Sequence, residues 1–157
     1  MQTKSIQISP TTPPAKSSDF LLQVMTQGGL EDLYDTRDVI EVVFRTVRDL
    51  MTTETAQRVA TEIENDTQAS DRQQIAALWR DTNPVVAFLS RLRPPLTFAD
   101  DTFLFRIAQE SGLSKRVAPE AAVKAVFQAL KPRLSKSLAQ EISIALPGQI
   151  QQMWRMA

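Results

Sequence analysis

The sequence predicts an all-α protein in which two helical repeats, offset by 83 positions, pack into one bundle-like domain. Residues 20–63 match residues 103–146 without a gap when the chain is shifted by that offset. Apolar residues in this frame recur at spacings of three and four, the period of helices rather than strands. A half of about 70 residues buries too little apolar surface to be robust alone, so we expect a shared core.

Identical pairs define the frame of the repeat. They are Phe20-Leu21 with Phe103-Leu104, Gly29-Leu30 with Gly112-Leu113, Val43-Phe44 with Val126-Phe127, and Ala56-Gln57 with Ala139-Gln140. Glycine tolerates the left-handed conformation that closes a helix, so Gly29 and Gly112 should end the first helix of each repeat. In the second repeat we expect Asp101 or Thr102 to cap the start of that helix.

The second helix of each repeat carries the clearest apolar stripe. Pro119 should lie in its first turn in the second repeat, where proline costs least, and Pro132 should cause a kink or an early stop. In the first repeat we expect the helix to begin at Asp35 or Thr36. The predicted stripes are Val123, Val126, Phe127, Leu130 and Leu134, and Ile40, Val43, Phe44, Val47 and Met51.

Thr52 and Ser135 are predicted N-caps of a third helix, after which the two repeats diverge. The second repeat continues through a Leu-Pro turn into a last helix, whereas the first inserts the polar stretch 64–71. If Trp79 and Trp154 are counterparts, their offset is 75 rather than 83. Eight extra residues fit a surface loop, where insertions cost little.

Four segments follow from this organisation. Residues 1–18 are rich in Pro, Ser and Thr and should form a disordered tail. The first repeat spans residues 19–80 and the second spans residues 102–157. The connecting segment, residues 81–101, is too apolar for a free linker, and we expect a short helix over about 84–92 packed against both halves.

A family resemblance rests on residues of the second repeat. This repeat runs AVKAVFQALK over residues 122–131, continues through Leu134, and closes with Leu146-Pro147, Ile150 and Met153-Trp154. It resembles the domain of unknown function 2267 family, whose members have two similar halves. The resemblance spans about residues 19–154, and it implies an all-α bacterial cytosolic protein with no established activity. The first repeat departs from the pattern, with Glu64 in place of the proline and a longer loop.

The composition excludes several function classes. The chain has neither Cys nor His, which removes disulfides, thiol nucleophiles, ordinary zinc sites and imidazole acid–base catalysis. No apolar run is long enough to span a bilayer, and the first residues lack the apolar stretch of a secretory signal. The cytoplasmic location that we expect is what the family resemblance implies. We expect no cofactor and no catalytic residues.

Acidic residues are the remaining candidates for chemistry. Asp100 and Asp101 could form a metal pair, but a helix N-cap is the simpler interpretation. An acidic cluster follows the third helix of the first repeat. It comprises Glu62, Glu64, Asp66 and Asp71. This cluster lacks the glycine and the terminal bidentate Glu of a calcium loop, which favours a solvated polar loop.

Basic residues suggest an anion site only weakly. Arg91 and Arg93 could contact an anionic partner, or could complement the C-terminus of a helix. The formal net charge is zero, and the basic stretch of the second repeat lacks free aromatic residues. Its members are Lys115, Arg116, Lys131, Arg133 and Lys136. We therefore expect an ordinary charged surface and no nucleic-acid partner.

These observations favour a non-enzymatic helical interaction module, a scaffold or adaptor that binds an unknown protein or itself. The alternative is a protein that binds a small apolar ligand in a pocket between the repeats. Trp79 and Trp154 could line that pocket or contact a partner, as could Arg91 and Arg93. The competing interpretation of the two tryptophans is that they belong to the core, each with its N–H near the surface.

Overall fold

A computed structural model describes residues 19–80 and 95–157 of the chain. Within these residues the chain forms eight α-helices and one 3₁₀ turn and no strand, which confirms the predicted all-α class. The helices are α1 (Asp19–Gly28), α2 (Leu33–Asp49), α3 (Thr53–Asn65), α4 (Arg72–Trp79), α5 (Asp100–Ser111), α6 (Pro119–Leu130), α7 (Lys136–Ala145) and α8 (Gly148–Met156), with the 3₁₀ turn at Lys131–Arg133.

Glycine ends the first helix of each repeat, as expected. Gly29 follows α1 with φ of 70°, and Gly112 ends α5 with φ of 66°. The next residue then closes each helix with the same bond: the N–H of Leu30 donates to the carbonyl of Met25, and the N–H of Leu113 donates to that of Ala108. This is the six-to-one bond of a Schellman motif, and it requires the left-handed residue before it.

Two predicted helix starts are wrong, although the chemistry of capping is right. The second helix begins at Leu33, and Asp32 caps it by accepting the N–H of Asp35 at 2.8 Å. Asp35 therefore lies inside the first turn as a capped residue. Helix α5 begins at Asp100, and its N-cap residue, Ala99, has no side chain that could accept a bond. Neither Asp101 nor Thr102 is that cap.

The predicted caps of the third helices and the predicted positions of Pro119 and Pro132 are confirmed. Thr52 accepts the N–H of Thr55, and Ser135 accepts that of Leu138, so each hydroxyl caps the third helix of its repeat. Pro119 occupies the first turn of α6. That helix ends at Leu130 and tightens into the 3₁₀ turn that contains Pro132, because proline lacks the N–H needed to continue the α-helix.

The first helix of each repeat packs mainly on the second helix of the other repeat. α1 packs most extensively on α6, the second helix of the other repeat, and α5 packs most extensively on α2. α2 and α6 also touch each other, and α3 contacts α7. One buried apolar cluster includes residues of both repeats, with Phe20, Phe44, Phe103 and Phe127 almost fully enclosed. Each repeat thus covers its partner's apolar stripe.

Several predictions fall on residues that the structure does not describe. The tail at 1–18, the connecting helix at about 84–92, and both Arg91 and Arg93 lie outside the described residues. In the part of the chain that is described, no helix is long and apolar enough to cross a membrane.

Candidate functional site

The two tryptophans lie in the core. Trp79 at the end of α4 and Trp154 near the end of α8 are each 1% exposed. Trp79 meets the ring of Phe44 edge-on with centroids 5.2 Å apart, and Trp154 meets Phe127 in the same way at 5.1 Å. Such edge-to-face pairs add stabilisation beyond the buried area.

The polar end of each indole is satisfied inside the protein. Nε1 of Trp79 donates to the carbonyl of Ala56 at 2.8 Å, and Nε1 of Trp154 donates to that of Ala139 at the same distance. Ala56 and Ala139 are separated by the full repeat offset, whereas the two tryptophans are closer in sequence than that offset. The two indoles therefore make equivalent contacts despite the insertion, and neither presents a free donor to a ligand.

Acidic residues at the end of α3 and in the loop that follows it are structural acceptors. Glu62 accepts both the backbone N–H and the hydroxyl of Ser135, at 2.7 and 2.9 Å, and so joins α3 to the start of α7. Glu64 forms a two-bond pair with Arg80 at 2.6 and 2.8 Å. The hydrogen bonds from Arg80 hold the pKa of Glu64 below its ordinary value. Asp66 accepts the N–H of Gln68 within the loop.

Asp71 is the buried member of the acidic cluster. Its side chain is 3% exposed and accepts the backbone N–H of Phe20 at 3.1 Å. It also accepts two bonds from Arg133 of the second repeat, at 2.8 and 3.2 Å. The guanidinium of Arg133 lies 5.4 Å from the ring centroid of Phe20. One carboxylate therefore ties together the start of α1, the start of α4 and the 3₁₀ turn.

Asp100 caps a helix other than its own. Its Oδ2 accepts the N–H of Gln149 at 2.8 Å, in the first turn of α8, where the helix dipole favours negative charge. A Cβ on Gly148 would lie 2.9 Å from that oxygen, so a larger residue there would force the Asp100 carboxylate to shift. Asp101 accepts the N–H of Thr102. The predicted capping role is correct in kind, but the helix is α8.

Across residues 19–80 and 95–157, no three acidic residues come together in a group that could hold a metal ion. The basic stretch of the second repeat is also partly structural. Lys131 donates from Nζ to the carbonyls of Trp154, Arg155 and Ala157 at the end of α8. A cation at this position complements the negative end of the helix.

A cleft between α2 and the end of α4 is the site that the sequence analysis missed. Four arginines line it: Arg37, Arg45 and Arg48 from α2, and Arg80 just after α4. Glu41, Ala77 and Leu78 complete the lining of this arginine cleft, whose volume is about 210 Å³. The signal in the sequence was the spacing 37, 41, 45 and 48, which places four charged residues on one helical face.

Carboxylates neutralise part of this charge. Arg37 donates from Nε to Glu41 at 3.2 Å, and Arg45 donates from Nη2 to Glu110 of α5 at 2.7 Å. Arg106 also donates to Glu110. Burial alone would raise the pKa of Glu110, but the hydrogen bonds from Arg45 and Arg106 outweigh it and hold the pKa below its ordinary value.

Several large apolar side chains of the described residues remain exposed. Two of them occupy the same repeat position: Leu22 on α1 and Phe105 on α5, 40% and 63% exposed. The others are Tyr34, Leu96, Ile144 and Met156.

Comparison with known proteins places the chain in a family without assigning it a chemistry. A search of curated proteins found no match. The model of the uncharacterized conserved protein family DUF2267 matches residues 17–153, and the chain therefore belongs to that family.

Proposed function

We propose that this protein is a non-enzymatic helical interaction module, a scaffold or adaptor whose partner is another protein or a second copy of itself. The observation that carries the proposal is the pair of outward apolar side chains at one repeat position. Leu22 and Phe105 point away from the core, while Phe20 and Phe103, two residues earlier, are 1% and 0% exposed. Single exposed apolar residues are common, but an exposed apolar residue at the same position of both repeats is best explained by a surface that contacts a partner.

The role of the carboxylates supports the non-enzymatic part of this proposal. Glu62, Asp71 and Asp100 are among the acidic residues that the sequence offers as candidates for chemistry. Each accepts a backbone N–H from another element of the fold. An acceptor held by such a bond is occupied by a structural role, and the buried Asp71 cannot leave its bond without exposing an unpaired donor.

We further infer that the repeats are related by a pseudo-two-fold axis. The reciprocal packing of α1 on α6 and α5 on α2 supports this relation, as does the contact between α3 and α7. Such an axis would present the Leu22 and Phe105 surfaces as two related binding sites. The larger and more exposed aromatic side chain makes the Phe105 surface the stronger of the two.

The alternative function, binding of a small apolar ligand between the repeats at the tryptophans, has less support. Trp79 and Trp154 are both buried, and each indole N–H already donates to a carbonyl of the protein. A ligand there would have to displace core contacts rather than enter a lined space.

The test compares the full chain with Phe105→Ser, using Gln109→Ser on the same exposed side of α5 as the matched control. Sedimentation velocity would measure self-association, and chemical crosslinking in native lysate followed by mass spectrometry would identify partners. We expect self-association or one stoichiometric partner to be lost in Phe105→Ser and kept in Gln109→Ser, with both variants folded. An identical set of species for all three chains would refute the proposal.

A further inference from the structure

The arginine cleft is specific to the first repeat. In the frame of the repeat, Glu120, Lys124, Gln128 and Lys131 stand at the positions of Arg37, Glu41, Arg45 and Arg48. α6 nevertheless packs against α8, just as α2 packs against α4. The second repeat therefore builds the same pair of helices without an arginine stripe. The stripe is not a requirement of the fold, and another cause must be sought for it.

Complementing the helix ends explains only part of this charge. In the second repeat a single cation, Lys131, serves the carbonyls at the end of α8. If the end of α4 needed the same complement as the end of α8, one arginine would be enough to bind its carbonyls. Arg37 lies about three turns before the end of α2 at Asp49, and Arg45 lies just outside its last turn, whereas the helix dipole acts within the last turn.

The existing ion pairs leave the cleft open to an anion. The pairs of Arg37 with Glu41 and Arg80 with Glu64 join side chains that are one-third to more than one-half exposed. The exposed pair of Arg37 with Glu41 rests on one hydrogen bond and contributes little, so exchanging its carboxylate for a ligand oxygen costs little. The two-bond pair of Arg80 with Glu64 is stronger, so a ligand would meet Arg80 with that carboxylate still bound. A guanidinium carries five N–H donors. Glu41 accepts a bond from Nε of Arg37, and Glu110 accepts one from Nη2 of Arg45, so each carboxylate engages only part of its arginine.

We propose that the arginine cleft binds a small phosphate-bearing anion, with Arg37, Arg45 and Arg80 as its principal contacts. A phosphate group offers three acceptor oxygens and up to two charges, so it can bridge several guanidinium forks, whereas one fork already satisfies a carboxylate. The cleft of about 210 Å³ is smaller than the pockets of about 300 Å³ or more that enclose drug-sized ligands. It is sized for the anionic group alone. This site is independent of the Phe105 surface.

Titration of the full chain with inorganic pyrophosphate, followed by isothermal calorimetry, tests the proposal. We expect saturable one-site binding to the wild-type protein. The double variant R37Q/R45Q removes two principal contacts and gives position 45 the residue of the second repeat. Its affinity should fall at least about tenfold, because each contact is charge-assisted. R116Q is the matched control, since Arg116 is an exposed arginine that also faces a carboxylate, Glu31, outside the cleft.

Three results would overturn the proposal: no saturable binding, equal weakening by R116Q and R37Q/R45Q, or citrate binding as tightly as pyrophosphate. The last result would assign the cleft to carboxylates rather than phosphates. If R37Q/R45Q does not fold, amide chemical shifts of the wild-type protein decide the question. Pyrophosphate should then shift residues 37–48 and 77–80 and leave residues 120–131 unchanged, and the reverse pattern would reject the site.

Discussion

Arg58 and Glu141 are 83 residues apart and form a salt bridge of 2.7 Å. Since this separation equals the repeat offset, the two residues occupy the same position in α3 and α7. A residue meets its own counterpart only where the two equivalent helices face each other, and α3 and α7 do pack together. Because this position holds Arg in one repeat and Glu in the other, the contact is attractive.

A charge exchange tests whether this pair contributes to the contact between the repeats. R58E places two carboxylates together and should lower the free energy of unfolding by up to about 1 kcal/mol, the scale of exposed pairs. The double variant R58E/E141R should recover most of that loss. Urea unfolding of the wild type, R58E, E141R and R58E/E141R gives the coupling energy between the two residues. Strictly additive effects of the two single substitutions would mean that the pair contributes nothing.

Removal of the buried carboxylate should be far more damaging. D71A leaves the N–H of Phe20 and the guanidinium of Arg133 without their acceptor. We expect a loss of about 2–4 kcal/mol, somewhat below the full cost of breaking a buried pair because Arg133 retains some contact with water. D66A, in the same loop, is the control and should be nearly neutral. Chemical denaturation measures both, and similar effects would contradict the assigned role of Asp71.

The two tryptophans should respond alike to the same substitution. W79F and W154F each keep an aromatic ring but leave the carbonyl of Ala56 or Ala139 without its indole donor. Each should lose about 1–3 kcal/mol, from the lost hydrogen bond and the smaller buried ring. Thermal unfolding compares the variants. A large effect in one repeat and none in the other would show that the equivalent contacts are not equivalent in energy.

Glycine substitutions separate backbone strain from steric conflict. Around Gly29 and Gly112 nothing lies within 4 Å of an added Cβ, so G29A and G112A should cost only the left-handed backbone penalty, about 1–2 kcal/mol. G148A has no such penalty, but its Cβ would displace Asp100 from the start of α8. Adding D100A to G148A should therefore lower the free energy of unfolding little further, because both substitutions remove the same bond to the start of α8. Fully additive losses would refute this shared cause.

Glu110 should make stability depend on acidity. Its pKa in the folded protein lies below the ordinary 4.5, so its contribution is present above that pH and is lost as the pH falls through the folded value. The wild type should exceed E110Q at pH 7 by less than about 1 kcal/mol, because the pair is screened by solvent. The difference should vanish in strong acid. Urea midpoints against pH measure it, and a gap that widens in acid would reverse the assignment.

Local signals in the sequence were sufficient for most of the elements. The steric freedom of Gly29 and Gly112, the hydroxyls of Thr52 and Ser135, and the missing N–H of Pro132 act within one turn of chain. Their effects could therefore be predicted from neighbouring residues. Two helix starts were not predicted correctly. At one, several possible caps lie within a few positions, Asp32, Asp35 and Thr36, and at the other the N-cap residue, Ala99, has no acceptor. Residue type alone does not say which of several nearby acceptors caps a helix.

The arginine cleft, unlike most of the helices, could not be predicted from local signals in the sequence. The spacing of Arg37, Arg45 and Arg48 was present in the sequence, but a charged stripe on a helix is normally a solvated face. Only the packing of α4 beside it turns the stripe into a cleft with Arg80. Likewise, Asp71 and Asp100 were visible as acidic residues, but their roles as acceptors depend on helix ends brought together from distant parts of the chain.

The sequence by itself determined the helical period, the internal repeat, the helix stops, the caps at Thr52 and Ser135, and most residues of the core, because these depend on backbone sterics and on hydrophobicity at short range. Tertiary structure alone decided that α1 and α5 each pack mainly on the other repeat, that Arg58 meets Glu141, and that Asp71 and Asp100 serve other helices. Those outcomes depend on which surfaces bury each other, and this is a property of the whole chain that no local pattern encodes.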